Sequence, residues 1–150
     1  MKKNSLLLVL FIILFQGCKQ DDECNQSCFT PPEAFYFEIV DKESGENLFT
    51  NGTFDANDIK ITDTLNDNDS VEFSFISENN INLIQIGSIG WKTEIVNLRI
   101  YISENPIFNF YIDAERIEDC CSHTDYNEIT LTDSEFELDS QTGIYKILVE

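Results

Sequence analysis

The chain predicts an all-β protein, a single antiparallel β-sandwich of immunoglobulin-like or related form, with a small β-barrel as the alternative. Three observations predict it. Apolar and polar residues alternate with a period of two over most of the sequence after Pro32. Clusters of Gly, Asn, Asp and Ser break that alternation about every ten residues, the spacing of short strands joined by turns. No stretch repeats its apolar residues at the 3.6-residue spacing of an amphipathic helix.

The elements follow in order. Phe35, Phe37 and Ile39 share one face of a strand over Ala34 to Val40, with Tyr36 and Glu38 on the other. Asp41-Lys42-Glu43-Ser44-Gly45-Glu46 is a turn, Leu48 to Thr50 a short strand ended by Asn51-Gly52, and Ile59 to Thr62 another short strand. Asp63 to Ser70 is a polar, acidic loop. Val71, Phe73 and Phe75 then pair as a hairpin with Ile81, Leu83, Ile84 and Ile86. The phase slip at Leu83-Ile84 marks either a bulge or a strand buried on both faces. Trp91 to Ile102 is the longest predicted strand, with Val96, Leu98, Ile100 and Ile102 facing inward. Ser103-Glu104-Asn105-Pro106 reverses it, and Phe108, Phe110, Ile112 and Ala114 face inward on the next. After a cysteine-bearing loop come Ile129 to Thr132, Glu135 to Leu138 and Ile144 to Val149. Aromatic residues at alternating strand positions are core residues by default.

The first residues carry a different pattern. Met1-Lys2-Lys3 precedes an apolar run, Leu6 to Phe15, and then Phe15-Gln16-Gly17-Cys18. A basic end, about ten apolar residues and a small residue before a cysteine describe a lipoprotein signal, too short for a permanent membrane span. Residues 1–17 are expected to be removed and Cys18 to be acylated. Residues 18–33 then form a lipidated tether and residues 34–150 one sandwich domain. Two or three acyl chains make the membrane contact effectively permanent.

The charge narrows the partners. The sequence has 28 acidic and 9 basic residues. With Lys2 and Lys3 removed, 7 bases remain against 28 acids, a net charge of −21. Such a chain gains nothing from counterion release on nucleic acid, so nucleic-acid binding is excluded, and partners are sought among envelope proteins and glycans.

Besides Cys18 there are four cysteines, Cys24, Cys28, Cys120 and Cys121. An even number outside the cytoplasm implies two disulfides. A Cys120–Cys121 bond would need a strained ring, so Cys24 and Cys28 are expected to pair with the vicinal cysteines, in an order the sequence leaves open. Only Lys19 to Glu23 then remains as free tether, at most about 17 Å long. A copper site on Cys24, Cys28 and the single histidine, His123, is the competing reading, similar in spacing to copper-delivery proteins of thioredoxin fold. Those proteins require a helix after the second cysteine, where this chain has Phe29-Thr30-Pro31-Pro32. His123 lies in a polar stretch, Ser122 to Asp125, and reads as a solvated loop residue.

Asp63, Asp67, Asp69 and Glu72 are the candidate metal ligands, because hard cations such as Ca2+ take clustered oxygen donors. Their spacing fails the twelve-residue calcium loop, with Leu65 and Ser74 at ligand positions, and acidic residues also serve turn geometry. No Gly-x-Ser-x-Gly elbow or phosphate-cradling loop is present in the sequence, and one histidine gives a triad a single base, so no catalytic residue is assigned.

Cys18-Lys19-Gln20-Asp21-Asp22-Glu23 resembles the start of surface-export lipoproteins of Bacteroidota. There, consecutive acids soon after the acylated cysteine mark passage to the outer face of the outer membrane. The body, from Phe37-Glu38-Ile39-Val40-Asp41-Lys42-Glu43-Ser44-Gly45-Glu46-Asn47-Leu48-Phe49 through Asn51-Gly52-Thr53 to Cys120-Cys121, resembles small uncharacterised lipoproteins of the same bacteria. The resemblance implies an outer-membrane, lipid-anchored β-rich protein displayed at the cell surface, with no activity attached. A binding or accessory role in the envelope is the leading expectation, and a cation-dependent adhesin, a copper protein or an enzyme are the alternatives. The functional surface is expected on loops away from Cys18, at Asn51 to Asn57 and Asp63 to Ser70.

Overall fold

The computed structural model describes residues 28–78 and 81–150. The expected signal, Cys18, Cys24 and the tether as far as residue 27 lie outside the described residues, whereas residues 28–33, expected as the end of the tether, are described and begin with a strand, Cys28–Phe29. What is described is all-β: two sheets packed face to face, with no closed barrel. The first sheet has the order β1-β9-β8-β7-β3-β4 and the second β10-β11-β2-β6-β5. Their strands are β1 Cys28–Phe29, β2 Phe35–Asp41, β3 Ile59–Asp63, β4 Asp69–Ser70, β5 Ser74–Ile76, β6 Leu83–Ile86, β7 Glu94–Ile102, β8 Asn105–Ile117, β9 Cys121–Thr132, β10 Glu135–Leu138 and β11 Ile144–Val149.

The core is the inward half of the alternation. Phe35, Phe37 and Ile39 of β2 meet Phe108, Phe110, Ile112 and Ala114 of β8 and Val96, Leu98, Ile100 and Ile102 of β7, all buried. The Phe37 ring lies 4.9 Å from Phe110 in an edge-to-face arrangement and 5.0 Å from Phe108. Each such side chain, fully buried, contributes about 1.5–3 kcal/mol. Aromatic pairs of this geometry add about 0.5–1.5 kcal/mol beyond the area they bury.

Most neighbours are antiparallel, but each sheet contains one parallel pair. β11 runs alongside β2, Ile144 opposite Tyr36 through Val149 opposite Asp41, and β1 runs alongside β9. Alternation gives only a strand's buried face. Direction between strands distant in sequence depends on the end at which the chain re-enters the sheet, and short-range pattern does not encode that.

Three local expectations change and one open alternative is resolved. Leu48 to Thr50 is a turn, joined to β2 only by a bridge between Val40 and Asn47. The Asn47 side-chain carbonyl accepts from the Phe49 and Thr50 amides at 3.0 and 3.1 Å, supplying the backbone with a local alternative to a ladder. The longest strand is β8, and β7 starts only at Glu94, leaving Trp91 in a loop. At Leu83-Ile84 the pairing runs through without a shift and both residues are buried, so β6 is buried on both faces. His123 lies in β9 opposite Ile117, not in a loop. A single turn of 3-10 helix, Ala56–Asp58, precedes β3, its first turn capped by Asp55.

Candidate functional site

The end of the sandwich where β1 begins is built by residues distant in sequence. Cys28 lies opposite Cys121 in the β1–β9 pair, and a disulfide joins them across 93 residues. The Cys28 amide donates to the Cys120 carbonyl, and the Thr30 amide to that of Ser122, both at 2.9 Å. Cys120 is disulfide-bonded as well. One part of the open pairing order is thereby settled: Cys28 bonds to Cys121, and Cys24 lies outside the described residues. The copper reading loses a ligand in the oxidised protein, because the Cys28 sulfur is spent in that bond and is no thiolate.

Above this staple sit two exposed aromatic rings, Phe29 at 60% and Trp91 at 54% exposure. They stack at 6.2 Å with an interplanar angle of 28°. The Arg116 guanidinium covers the Phe29 ring at 5.1 Å, and its Nη1 donates to the Thr30 carbonyl and to Thr124 Oγ1, both at 3.0 Å. Trp91 Nε1 donates to the Gly87 carbonyl at 2.9 Å, which fixes the indole. Its loop is tied down twice more: Thr124 Oγ1 donates to the Gly90 carbonyl at 2.7 Å, and the Gly90 amide donates to Glu94 Oε1 at 2.9 Å. Tyr126 Oη accepts from the Glu33 amide at 3.1 Å while its ring packs edge-on to Phe35, and burial pushes this phenol above its ordinary range.

Beside Trp91 opens a groove of about 780 Å³ whose lining includes Ser70, Glu72, Phe73, Ser74, Gln85 and Ser88. The opposite end carries the loop from Asn51 to Asp58 and the two-residue β7–β8 turn, Ser103-Glu104. Ser103 Oγ donates to Asp58 Oδ2 at 2.6 Å and joins them. Lys42 also lies there, 2.8 Å from Glu135 and 3.3 Å from Glu150, and both carboxylates raise its pKa.

The two loops expected to share one surface are therefore apart. Asn51 to Asn57 leads into the start of β3 beside Ile102, whereas Asp63 to Ser70 leaves its other end beside Leu98. Nor are the four candidate metal ligands brought together. Asp63 is buried, its Oδ1 accepting from the amides of Leu65 and Asn97 at 3.0 Å each. Asp69 accepts from Asn66 Nδ2, Asp67 sits exposed in the turn with φ 49°, and Glu72 is exposed in the groove lining. Among the described residues no three His, Cys, Asp or Glu side chains gather as a metal site. Asp63 reads as a free ligand in the sequence because the Asn97 amide that claims it, 34 residues away, leaves no mark in its own loop.

His123 Nδ1 lies 2.8 Å from the Cys121 carbonyl and Nε2 3.6 Å from Asp125 Oδ1. The exposed Phe29–Trp91 pair is what the sequence reading missed. A signal was present: Phe29 lies outside any alternating run, and Trp91 falls between Gly90 and Lys92. Comparison of the chain with protein-family models, curated proteins and solved structures finds no match.

Proposed function

We propose that this chain is an outer-membrane lipoprotein, acylated at Cys18 and displayed at the cell surface, whose sandwich binds or supports another envelope protein or glycan. The observation that carries this reading is the staple at the start of the body. Cys28 is covalently fixed to β9 ten residues after Cys18, so a lipid on Cys18 would hold the domain within about 35 Å of the bilayer. Oxidised Cys28, Cys120 and Cys121 suit a compartment outside the cytoplasm. The acidic surface favours neutral or basic partners over polyanions.

With one end tied toward the lipid, the partner surface is the other end, formed by Asn51 to Asp58 and the Ser103-Glu104 turn. A photo-crosslinker at Asn51 or Glu104 in intact cells should trap a recurrent envelope partner, while one at Thr130, on the flank of the sandwich, should not. A protein that crosslinks to nothing at any of these positions would overturn the binding role. A mature product lacking acyl groups on Cys18, by mass spectrometry, would overturn the anchor.

A further inference from the structure

We infer that Phe29 and Trp91 form a fixed aromatic foot that seats this end of the sandwich in the interfacial layer of an uncharged or zwitterionic lipid surface. The inference deepens the lipoprotein reading and rests on it. Three observations carry it.

Both rings are more than half exposed, yet neither is loose. Phe29 follows the Cys28–Cys121 disulfide directly, lies under Arg116 and stacks on Trp91. Trp91 is held by its indole N–H on Gly87 and by a loop clamped to β9 through Gly90. Apolar rings held outward by a disulfide, a cation–π contact and hydrogen bonds lose little further freedom on burial, whereas flexible ones would have to be ordered. Indole, with a flat apolar body and one polar edge, belongs at the boundary between headgroup and acyl chain.

Position supplies the occupant. The chain enters the body at Cys28, so the lipid expected on Cys18 lies toward this end and no more than about 35 Å of extended chain away. At that distance the bilayer is the surface presented to these rings at high effective concentration. Charge selects the headgroup. Lys92 follows Trp91 and Arg116 covers Phe29, but Glu115, Glu118 and Asp119 adjoin Arg116 along the chain and the processed protein carries 7 bases against 28 acids, −21 overall, so an anionic surface would repel it.

Trp91 is the sole tryptophan, so its emission reports this site alone. The test uses the acylated protein extracted from the cells that make it and reconstituted into phosphatidylcholine vesicles, with and without brominated acyl chains. Vesicle flotation is measured beside Trp91 fluorescence. The expected result is co-flotation, loss of about half the Trp91 emission to brominated lipid, and protection from aqueous iodide. Phe29→Ser, at an exposed position, should keep the flotation and weaken the quenching. Co-flotation with Trp91 open to iodide and untouched by brominated lipid would remove the foot and leave the anchor standing. Protection from iodide without quenching by brominated lipid would also overturn the foot, pointing to a protein or another part of this chain over the rings. Undiminished quenching in Phe29→Ser would overturn the paired role. Protein that fails to float overturns the anchor and the foot together.

Discussion

Gly90 lies so close beneath β9 that a Cβ built on it would stand 2.9 Å from Thr124 Cγ2 and 3.0 Å from Tyr126 Oη, with Pro32 Cβ 3.3 Å away on the other side. The residue also has a φ of 90°, which side chains rarely adopt. The packing of the loop carrying Trp91 against the segment after Cys28 therefore depends on a missing methyl group.

Gly90→Ala should cost about 2–4 kcal/mol, the left-handed conformation and the overpacking adding together. Gly143→Ala separates the two contributions. That glycine has a φ of 71° but nothing within 4 Å of its would-be Cβ, so only the conformational part, about 1 kcal/mol, remains. Urea unfolding of both variants checks the difference, and equal losses would show that contact with Thr124 and Tyr126 is unimportant.

Asp63 is a structural carboxylate. Asp63→Ala leaves the Leu65 and Asn97 amides without their acceptor and should cost about 2–4 kcal/mol, whereas Asp63→Asn keeps an oxygen in place and should cost about 1 kcal/mol. Because the acids of this loop are dispersed, millimolar Ca2+ should leave the melting temperature of the wild-type protein unchanged. A cation bound to the native state would raise it by linkage.

The inward face of each long strand was legible in the sequence because a half-buried strand must alternate: Val96, Leu98, Ile100 and Ile102, and Phe108 through Ala114, are buried as their period required. Turn chemistry marked most strand ends for the same local reason. What could not be read depends on separation along the chain. The parallel pairing of β2 with β11, the choice of Cys121 for Cys28 and the capture of Asp63 by Asn97 are each set by contacts more than thirty residues apart. Phe29 receives no face from the alternation and Trp91 falls at the start of a predicted strand, and the rule that alternating aromatics are core gives no reason to expect either ring at the surface. That rule works in one direction only, since cores are apolar but apolar residues need not be core.

Acid should destabilise the fold through two turns. Asp41 accepts from the amide and hydroxyl of Ser44, both at 2.7 Å, and Asp139 accepts from the Gln141 amide at 2.8 Å; these bonds hold both carboxyls below their ordinary 3.8. A depressed folded-state pKa adds stability that is present above the unfolded value and lost as pH falls through the folded one. Stability should therefore be flat above about pH 5 and decline below about pH 4. Asp41→Asn with Asp139→Asn should make that acid limb shallower, measured by urea midpoints between pH 2 and pH 6 at fixed salt. An unchanged limb would assign the acid sensitivity to other groups.

The Cys28–Cys121 bond should be separable from the bridge at Cys120. In the chain-entropy view, a link across 93 residues stabilises by about 4 kcal/mol when it alone closes the loop. Since Cys120 is itself bridged, Cys28→Ser with Cys121→Ser should lose less, about 1–2 kcal/mol, while full reduction of the wild type, which opens the Cys120 bridge as well, should lose about 5–6 kcal/mol. Unfolding with and without reductant, beside non-reducing peptide mapping of the Cys28–Cys121 link, checks both the pairing and the nesting. A double variant as unstable as the reduced protein would mean that the Cys120 bridge leaves this loop open in the unfolded chain.

Thr62 offers a gain in stability. It is 3% exposed in β3, opposite Ser70 on one side and Arg99 on the other, and its Oγ1 is buried without a hydrogen-bond partner. A hydroxyl moved from water into that position loses its bonds and regains none, whereas valine fills nearly the same volume with a methyl and prefers the strand at least as well. Thr62→Val should therefore raise stability by about 1 kcal/mol, with an unchanged denaturant slope, because neither the folded shape nor the surface exposed on unfolding changes much. Thr62→Ser, which keeps the hydroxyl and removes the methyl, should move the other way and lose about 1 kcal/mol. A Thr62→Val protein less stable than wild type would mean that the hydroxyl is bonded in solution, and a water held between β3 and β4 would be the group to look for.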